Sequence, residues 1–461
     1  MTPRADRRRS VTLAVFLSFL WPGVGQWYLR RRRAAVAYGL PATVAMAALA
    51  WQFTGGLEAL ALRMIVPTFA LNVLILLVLL GLLRVSSMLD AALLAGPSDR
   101  LRGPRPTVFL AALLAIVLAS HGMAAYATWA FYNAGSRIFV GGSDSNGIAS
   151  GTGVPGNGLN PGDLDENDFQ ATPDSTPASP TARITLLFTG IDSGAGREHA
   201  LTDTLLVVSL DPQTDQVTMV SFPRDIAGFS LYDGRVYPGK INALMTSARL
   251  TPSQYPDGPL PTLTRELGYL LGVPINYFAA INLDGFTRMI DLVGGVDVTN
   301  PRAISDPSYS WLDGTHGFYL AAGSVHLDGR TALAYVRSRK GAGDSDFTRA
   351  ARQQDLLVAL RRKLVQPGML LRVPAILDAA ANTIKTNFPA DRVDDMLALG
   401  KATEEKKIQR FVLSSPYSYH PPTASTGGSW ELRLYMDRLA ELSVQLFGPD
   451  SRYYQGASAS P

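Results

Sequence analysis

The 461-residue chain contains no cysteine, which excludes a disulfide framework, a thiolate zinc centre and a cysteine nucleophile together. Histidine is scarce: the five residues at positions 121, 199, 316, 326 and 420 form no HExxH or other close zinc spacing. His199, near Asp203, is the only one placed where it could assist as a base, and its position fits a loop residue better. No GxSxG elbow occurs, so a serine hydrolase is set aside as well. Acidic side chains are rare at the start, where residues 1–132 carry 13 basic and 4 acidic groups within a total charge of +4. The remaining 329 residues therefore sum to −5. A basic surface able to neutralise duplex phosphates would have to lie there, so nucleic acid is excluded as the main partner.

What the first 132 residues do have is long uncharged runs. Residues 34–53, 64–83 and 107–132 each match the roughly 20 residues a helix needs to cross a bilayer. Residues 11–29 differ, because Pro22, Gly23 and Gly25 interrupt the run and arginines flank both ends. That pattern predicts a re-entrant or short hydrophobic hairpin. Arginines collect on the cytoplasmic side of short loops. With three crossings and a returning hairpin, Arg7–Arg9, Arg30–Arg33 and the group Arg84, Arg100, Arg102 and Arg105 all fall on that side. Everything after residue 132 is then extracellular, behind a retained multi-pass anchor. Trp21, Pro22 and the following arginines do not resemble a signal-peptide cleavage site.

Residues 133–182 read as a flexible linker, being rich in Gly, Ser, Asn, Asp and Pro between 141 and 181. Gly151, Gly153 and Gly156 have GxGxxG spacing, but with Pro155 inside, no strand before and no helix after, the match is chance. From residue 183 to 447, short β-rich runs alternate with amphipathic segments, predicting one compact α/β domain. Strands are expected at 184–191, 203–210 and 217–222, with DPQTDQ as a hairpin loop between the last two. Helices are expected at 261–271, 283–292, 348–364, 373–384, 391–399 and 430–446, and 448–461 as a disordered tail.

Two features of this domain carry chemistry. Asp192 ends the first strand and Asp203 begins the second, so neighbouring strands would bring two carboxylates together. Such a pair suits Mg²⁺ (or Mn²⁺), which takes one or two protein oxygens and completes its shell with water and phosphate. Acids at strand ends are also common as solvated turn residues. The second feature is arginine within ordered sequence: Arg224 in SFPRD, Arg337 and Arg339 in ALAYVRSRK, and Arg349 and Arg352 in DFTRAARQQ. Residues at i and i+2 of an extended segment share a face, as do i and i+3 of a helix, so each pair can point at one target. Guanidinium groups grip phosphate oxygens in a bidentate way, and a cluster suits a pyrophosphate. The same arginines could equally be surface ion-pair partners of Asp344, Asp346 and Asp355.

In this order, SFPRD (221–225), KINA (240–243), LVGGVDV (292–298), LDGRTALAYVRSR (327–339) and DFTRAARQQ (346–354) resemble the LytR-CpsA-Psr family of cell-wall assembly proteins. The resemblance covers roughly residues 183–364. It implies an α/β/α sandwich with a lipid tunnel beneath a pyrophosphate site. The implied activity is a phosphotransferase that moves an anionic glycopolymer from an undecaprenyl-pyrophosphate carrier to a peptidoglycan hydroxyl. Carried over by motif, Asp192 and Asp203 hold Mg²⁺, and Arg224, Arg337, Arg339, Arg352 and Gln353 grip the pyrophosphate. Arg197, Lys240 and Arg349 are further candidates for that pocket, and Asp225 and Asp346 would orient arginines. Asp192, Asp203, Arg224 and Arg337 would then be the catalytic set. Most members are described with one membrane helix, so several spans depart from the pattern. Two alternatives remain at this stage: a pyrophosphatase using water as acceptor, and a non-catalytic lipid-binding or regulatory membrane protein.

Overall fold

The apolar start of the chain folds as a tight helix pair. Helices α1 (Val11–Leu20) and α2 (Val24–Tyr28) are separated by a turn at Trp21, Pro22 and Gly23, with Gly23 at φ +93°. A side chain at Gly25 would overlap the Ala14 carbonyl and Ser18, so the close crossing of the two helices requires glycine there. Then come α3 (Arg32–Gln52), α4 (Gly56–Ile65), α5 (Pro67–Leu93) and α6 (Pro104–Ile138). The computed structural model describes residues 10–54, 56–93, 104–139, 182–192, 201–311, 313–366, 369–381 and 384–454. It divides into two units, residues 1–133 and 134–461.

Among the described residues of the first unit, α3, α5 and α6 are long and apolar enough to cross a membrane. The helices outrun the hydropathy. The run at 64–83 becomes a helix that starts at Pro67, where a missing N–H costs nothing, and continues to Leu93. Its last ten residues are more polar because they meet the hairpin. Buried Gln26 donates to the Ser87 carbonyl (2.7 Å) and Asp90 Oδ2 (3.0 Å), and accepts from the Ser18 and Ser87 hydroxyls. Arg31 clasps both oxygens of Asp90 at 2.7 and 3.0 Å. The amide network satisfies groups that would otherwise be costly inside an apolar bundle.

The second unit begins within the expected linker. Ala134, Ile138 and Phe139 are buried, Phe139 forms a parallel bridge with Thr386, and Lys385 Nζ donates to the Arg137 carbonyl at 2.5 Å. Residues 134–139, expected to belong to the linker, are therefore part of this unit. Residues 140–181 lie outside the described residues.

The strands and helices that follow are, in chain order, β1 (Ile184–Asp192), β2 (Leu201–Asp211), β3 (Gln216–Ser221), β4 (Ala227–Ser230), β5 (Val236–Lys240), α7 (Leu244–Leu250), α8 (Pro259–Leu271), β6 (Tyr277–Asn282) and α9 (Leu283–Leu292). Next come β7 (Val296–Asn300), β8 (Ile304–Ser310), β9 (His316–Leu320), β10 (Gly323–Leu327), α10 (Gly329–Arg337) and α11 (Asp346–Leu364). The chain closes with α12 (Val373–Ala381), β11 (Ile384–Thr386), α13 (Val393–Ala402), β12 (Ile408–Val412), β13 (Ser418–Tyr419), β14 (Arg433–Leu434) and α14 (Met436–Phe447).

A mixed six-stranded sheet, order β11-β6-β1-β2-β3-β12, is the middle of a three-layer α/β/α arrangement. Alternation along the strands assigns the faces. Leu187, Ile191, Leu205, Val207 and Val220 pack on α7, α8 and α14, whereas Leu186, Leu206, Val208 and Met219 face α11 and α13. Helix starts are capped locally. Asn282 accepts from Gly285 N–H before α9, Asp328 from Thr331 N–H before α10, and Ser345 and Thr348 form a capping box on α11. A Cβ at Gly329 would strike the Thr287 carbonyl, so α10 can sit against α9 only with glycine there.

Three expectations change. The helix expected at 373–384 ends at Ala381, and Ile384 joins the sheet as edge strand β11, paired to β6. The helix expected from 430 starts at Met436, because Arg433 and Leu434 pair with Ser418 and Tyr419. The tail is ordered through Tyr454: Arg452 N–H donates to Gly272 O, the Tyr453 hydroxyl to Leu270 O, and Ser451 shares a hydrogen bond with Ser443. Small residues suggested fraying there, but these groups dock on the end of α8.

Candidate functional site

Between the sheet and helices α9, α10, α11 and α13 lies a cavity of about 1230 Å³. Most of its wall is apolar, including Phe188, Leu206 and Met219 from the sheet, Met289 from α9, Leu360 from α11 and Met396 from α13. Along β2 the lining runs from Asp203 to Leu210, a length of roughly 20 Å at the usual strand rise. The charged residues gather where β2 begins, so the cavity has a polar mouth and an apolar body.

The mouth is assembled from four places in the sequence. Asp203 sits in a bulge of β2, where Ile191 pairs with Thr202 and Gly190 with Thr204, leaving Asp203 unpaired and turned into the cavity. Arg224, just after β3, donates from Nη1 to Asp203 Oδ1 at 2.6 Å, and its Nε lies 3.9 Å from Asp225 and 3.8 Å from Asp346. Lys240 Nζ donates to Asp225 Oδ1 at 2.7 Å. Asp346 Oδ1 lies 2.9 Å from Arg349 Nη2 and 3.8 Å from Arg339 Nη1. These contacts are ionic more than directed: Asp346 Oδ1, Arg224 Nε and Arg349 Nε are buried with no hydrogen-bond partner.

Electrostatics follow from that burial. Desolvation pulls the Arg224 guanidinium down, but Asp203, Asp346 and Asp225 outweigh it and raise its proton affinity. Burial raises the Asp346 carboxyl above its ordinary value despite Arg349 and Arg224, with Asp225 adding to the rise. Burial lowers Arg349 in spite of Asp346. Buried, unsaturated donors beside carboxylates form a site built for an anion rich in oxygen acceptors.

The sequence-predicted residues sort as follows. Asp203, Arg224, Lys240, Arg337, Arg339, Arg349 and Gln353 all line the cavity. Arg337 and Arg339 reach it by a different route from the one expected: the segment is helical to Arg337 and turns extended only at Ser338. Gln353 also donates to the Val336 carbonyl at 3.3 Å, joining α11 to α10. Arg352 does not line the cavity. It lies 60° further round α11 than Arg349, and its Nη2 donates to the Ser338 carbonyl at 2.5 Å and pairs with Asp344 at 3.4 Å. The ion-pair reading of these arginines is thus partly right, but the pairs are buried beside a cavity and not on an open surface. The side chain of Asp192 and residues 193–200, with Arg197 and His199, lie outside the described residues; the Asp192 backbone pairs with Leu201.

Two cavity residues escaped the sequence reading. Asp306 of β8 is 2% exposed and bound to the turn after α10. Tyr309 is buried beside Arg337 and hydrogen-bonded to it, and burial raises its hydroxyl pKa although Arg337 opposes the rise. Neither stands near a recognisable motif, and the buried positions of β8 (304, 306 and 309) are unevenly spaced, so no strand alternation marked an inward face.

Among the described residues, no group of three or more His, Asp or Glu could hold a metal ion. Among the described residues, Asp203 supplies a partly exposed carboxylate at the mouth. One or two hard oxygen donors beside a phosphate site fit Mg²⁺ or Mn²⁺, which keep several waters, and do not fit zinc.

The LytR_cpsA_psr family profile matches residues 162–430. The polyisoprenyl-teichoic acid–peptidoglycan teichoic acid transferase TagU of Bacillus mycoides is 31% identical over 213 residues, 46% of this chain and 63% of that protein. TagV of Bacillus subtilis, which carries the same transferase description, is 31% identical over 217 residues, 47% of this chain and 52% of that protein. The chain thus spans less than two thirds of the length of these curated relatives. The crystal structure of B. subtilis TagV superposes on 60% of this chain and all of its own, at 24% identity and a TM-score of 0.49.

Proposed function

Because the chain belongs to the LytR-CpsA-Psr family, we propose that it is a cell-wall glycopolymer transferase. It moves an anionic glycopolymer from an undecaprenyl-pyrophosphate carrier to a hydroxyl of peptidoglycan. The relatives' description as teichoic acid transferases supports this class of reaction. The observation that carries it is the cavity, apolar along its body and lined at the mouth by Arg224, Lys240, Arg337, Arg339 and Arg349. A polyprenyl pyrophosphate has the same two-part chemistry.

Phosphoryl transfer needs charge neutralisation and alignment more than a covalent nucleophile. The acceptor oxygen attacks the phosphorus attached to the glycan, the bridging P–O bond to the lipid phosphate breaks, and the lipid phosphate leaves with the bonding pair. The hydroxyl proton passes to a carboxylate at the mouth, where Asp203 and Asp225 line the cavity. The arginines hold the pyrophosphate oxygens, and the buried Nε groups of Arg224 and Arg349 gain the acceptors they lack. A magnesium or manganese ion held by Asp203 with Asp192 would supply further neutralisation of the pyrophosphate. Three membrane crossings, with the α1–α2 hairpin returning to the cytoplasmic side, put the second unit outside the cell, where the acceptor is.

The test is product analysis with the purified full-length chain, lipid-linked glycopolymer and peptidoglycan. Polymer joined to peptidoglycan with release of lipid phosphate supports transfer. Only free phosphorylated glycan would point to a pyrophosphatase. Unchanged turnover in Asp203→Ala would remove the catalytic reading and leave lipid binding, and activity unaffected by chelation would remove the metal.

A further inference from the structure

The arginines of the mouth are useful only if the short turn after α10 holds still, and that turn has no secondary structure of its own. It is gripped from both sides by buried charges. Asp306 accepts from the Ser338 hydroxyl (2.8 Å), the Lys340 N–H (3.2 Å) and the Arg339 N–H (3.3 Å), while its other oxygen takes the Ser308 hydroxyl (2.9 Å). From the opposite side Arg352, 5% exposed, donates to the Ser338 carbonyl and stacks over Tyr335 at 5.6 Å. Arg352 is fastened in turn by Asp344, which also meets Arg302, itself bonded to the Gly343 carbonyl.

We propose that Asp306 and Arg352 are positioning residues for the pyrophosphate site: a buried anion takes the turn's N–H groups and a buried cation takes its carbonyl, fixing the arms that carry Arg337 and Arg339. The assignment rests on the pyrophosphate reading above. It takes Arg352 out of the set of phosphate ligands and adds Asp306, which lies 32 residues upstream of Ser338 in the turn, to the working parts. The physical logic is that of oriented dipoles. Consecutive N–H groups converge on one carboxylate, so the backbone is pinned where a side-chain contact alone would leave it free to rotate. Four donors also keep Asp306 ionised: burial works against its charge, and the Ser338 hydroxyl, Lys340 N–H and Ser308 groups overcome that and lower its pKa. Preorganisation of this kind acts on ligand geometry without touching the ligand.

The experiment compares two probes on the full-length chain in detergent, farnesyl pyrophosphate and farnesol, which share the apolar tail and differ in the charged head. The wild type is expected to bind farnesyl pyrophosphate the more tightly. Asp306→Asn, with one oxygen exchanged for an N–H donor facing other donors, should weaken farnesyl pyrophosphate about tenfold and leave farnesol unchanged. Adding Asp306→Asn to Arg339→Ala should then cost less than it does alone, because one of the two arms it positions is gone. Ser338→Ala, which removes one donor only, is the milder variant and should show the same selective loss at a smaller size. Equal loss of both probes, additive losses in the double variant, or full selectivity in Asp306→Asn would each overturn the clamp. A wild type that does not prefer the pyrophosphate would instead overturn the reading of the site itself.

Discussion

The mouth and the body of the cavity are built by opposite means. The body is a mostly apolar wall from neighbouring strands and helices, and the cation that lines it, Arg361, spends its donors on the Gly400 and Thr403 carbonyls. The mouth is packed with charge drawn from Asp203, Arg224, Lys240, Arg339 and Asp346, and it holds polar atoms left without hydrogen bonds at Arg224, Arg349 and Asp346. A body of this kind selects by length and shape, and a mouth of this kind by charge and geometry. Binding of the tail and reaction of the head should therefore be separable by mutation.

The largest effect should come from Arg224→Ala, which leaves Asp203, Asp225 and Asp346 facing one another without their common cation. Transfer should fall by about 10²- to 10³-fold, measured as polymer joined to peptidoglycan, while farnesol binding is kept. Loss of farnesol binding would show that mouth and body are one structure and not two. Next is Ala279→Phe, which puts a ring into the body of the cavity. Long polyprenyl donors should lose roughly tenfold or more in affinity, since each displaced methylene forfeits about 0.8 kcal/mol of burial. Farnesyl pyrophosphate, which needs less depth, should lose little, and equal losses for the two chain lengths would break the distinction.

A smaller effect, and a sharper one, concerns two buried carboxylates that titrate in opposite senses. The lowered pKa of Asp306 means that its stabilisation is present above the ordinary carboxyl value of 3.8 and is lost as pH falls through its folded value. Asp306→Asn should be less stable than the wild type by roughly 1–3 kcal/mol near neutral pH, with the gap narrowing below about pH 4. Asp346 has a raised value, so its contribution is present below 3.8 and is lost as pH rises through the folded value. The wild type should therefore lose ground to Asp346→Asn as pH rises above 3.8. Denaturation curves on either side of that value read both, and parallel curves for the two variants would contradict the assignment. The smallest effect is expected of Tyr309→Phe, which removes the hydroxyl bonded to Arg337. About a threefold fall in turnover is anticipated, and a hundredfold fall would mean that Tyr309 meets the substrate directly.

Much of this difference was legible in the residues. The runs at 184–191, 203–210 and 217–222 read as strands and are strands, and the ordered motifs named Arg224, Lys240, Arg337, Arg339, Arg349 and Gln353, which line one cavity. The errors share a cause. Arg337 and Arg339 were read by i, i+2 spacing as a strand face, yet α10 ends between them, and Arg349 and Arg352 share a helix side only loosely, so one reaches the cavity and the other the turn behind it. Local spacing names residue pairs but not the partner that pulls each side chain. Asp306 was illegible for the same reason, since its donors stand more than thirty residues away. The polar end of α5 was missed because hydropathy reports what a segment offers lipid, and Ser87 and Asp90 are offered to Gln26 and Arg31 instead.

The bridge between Phe139 and Thr386 changes what the long Gly- and Ser-rich stretch is for. A segment that leaves one unit and re-enters the same unit at Arg183 connects two points of a single body. Its length then enters only through loop closure, which grows with the logarithm of the number of residues and adds about 0.6 kcal/mol for each doubling. The contact of Phe139 with Thr386 is the same whether about forty residues or about twenty follow it, so the stretch can change in length and composition without altering how the second unit is held together.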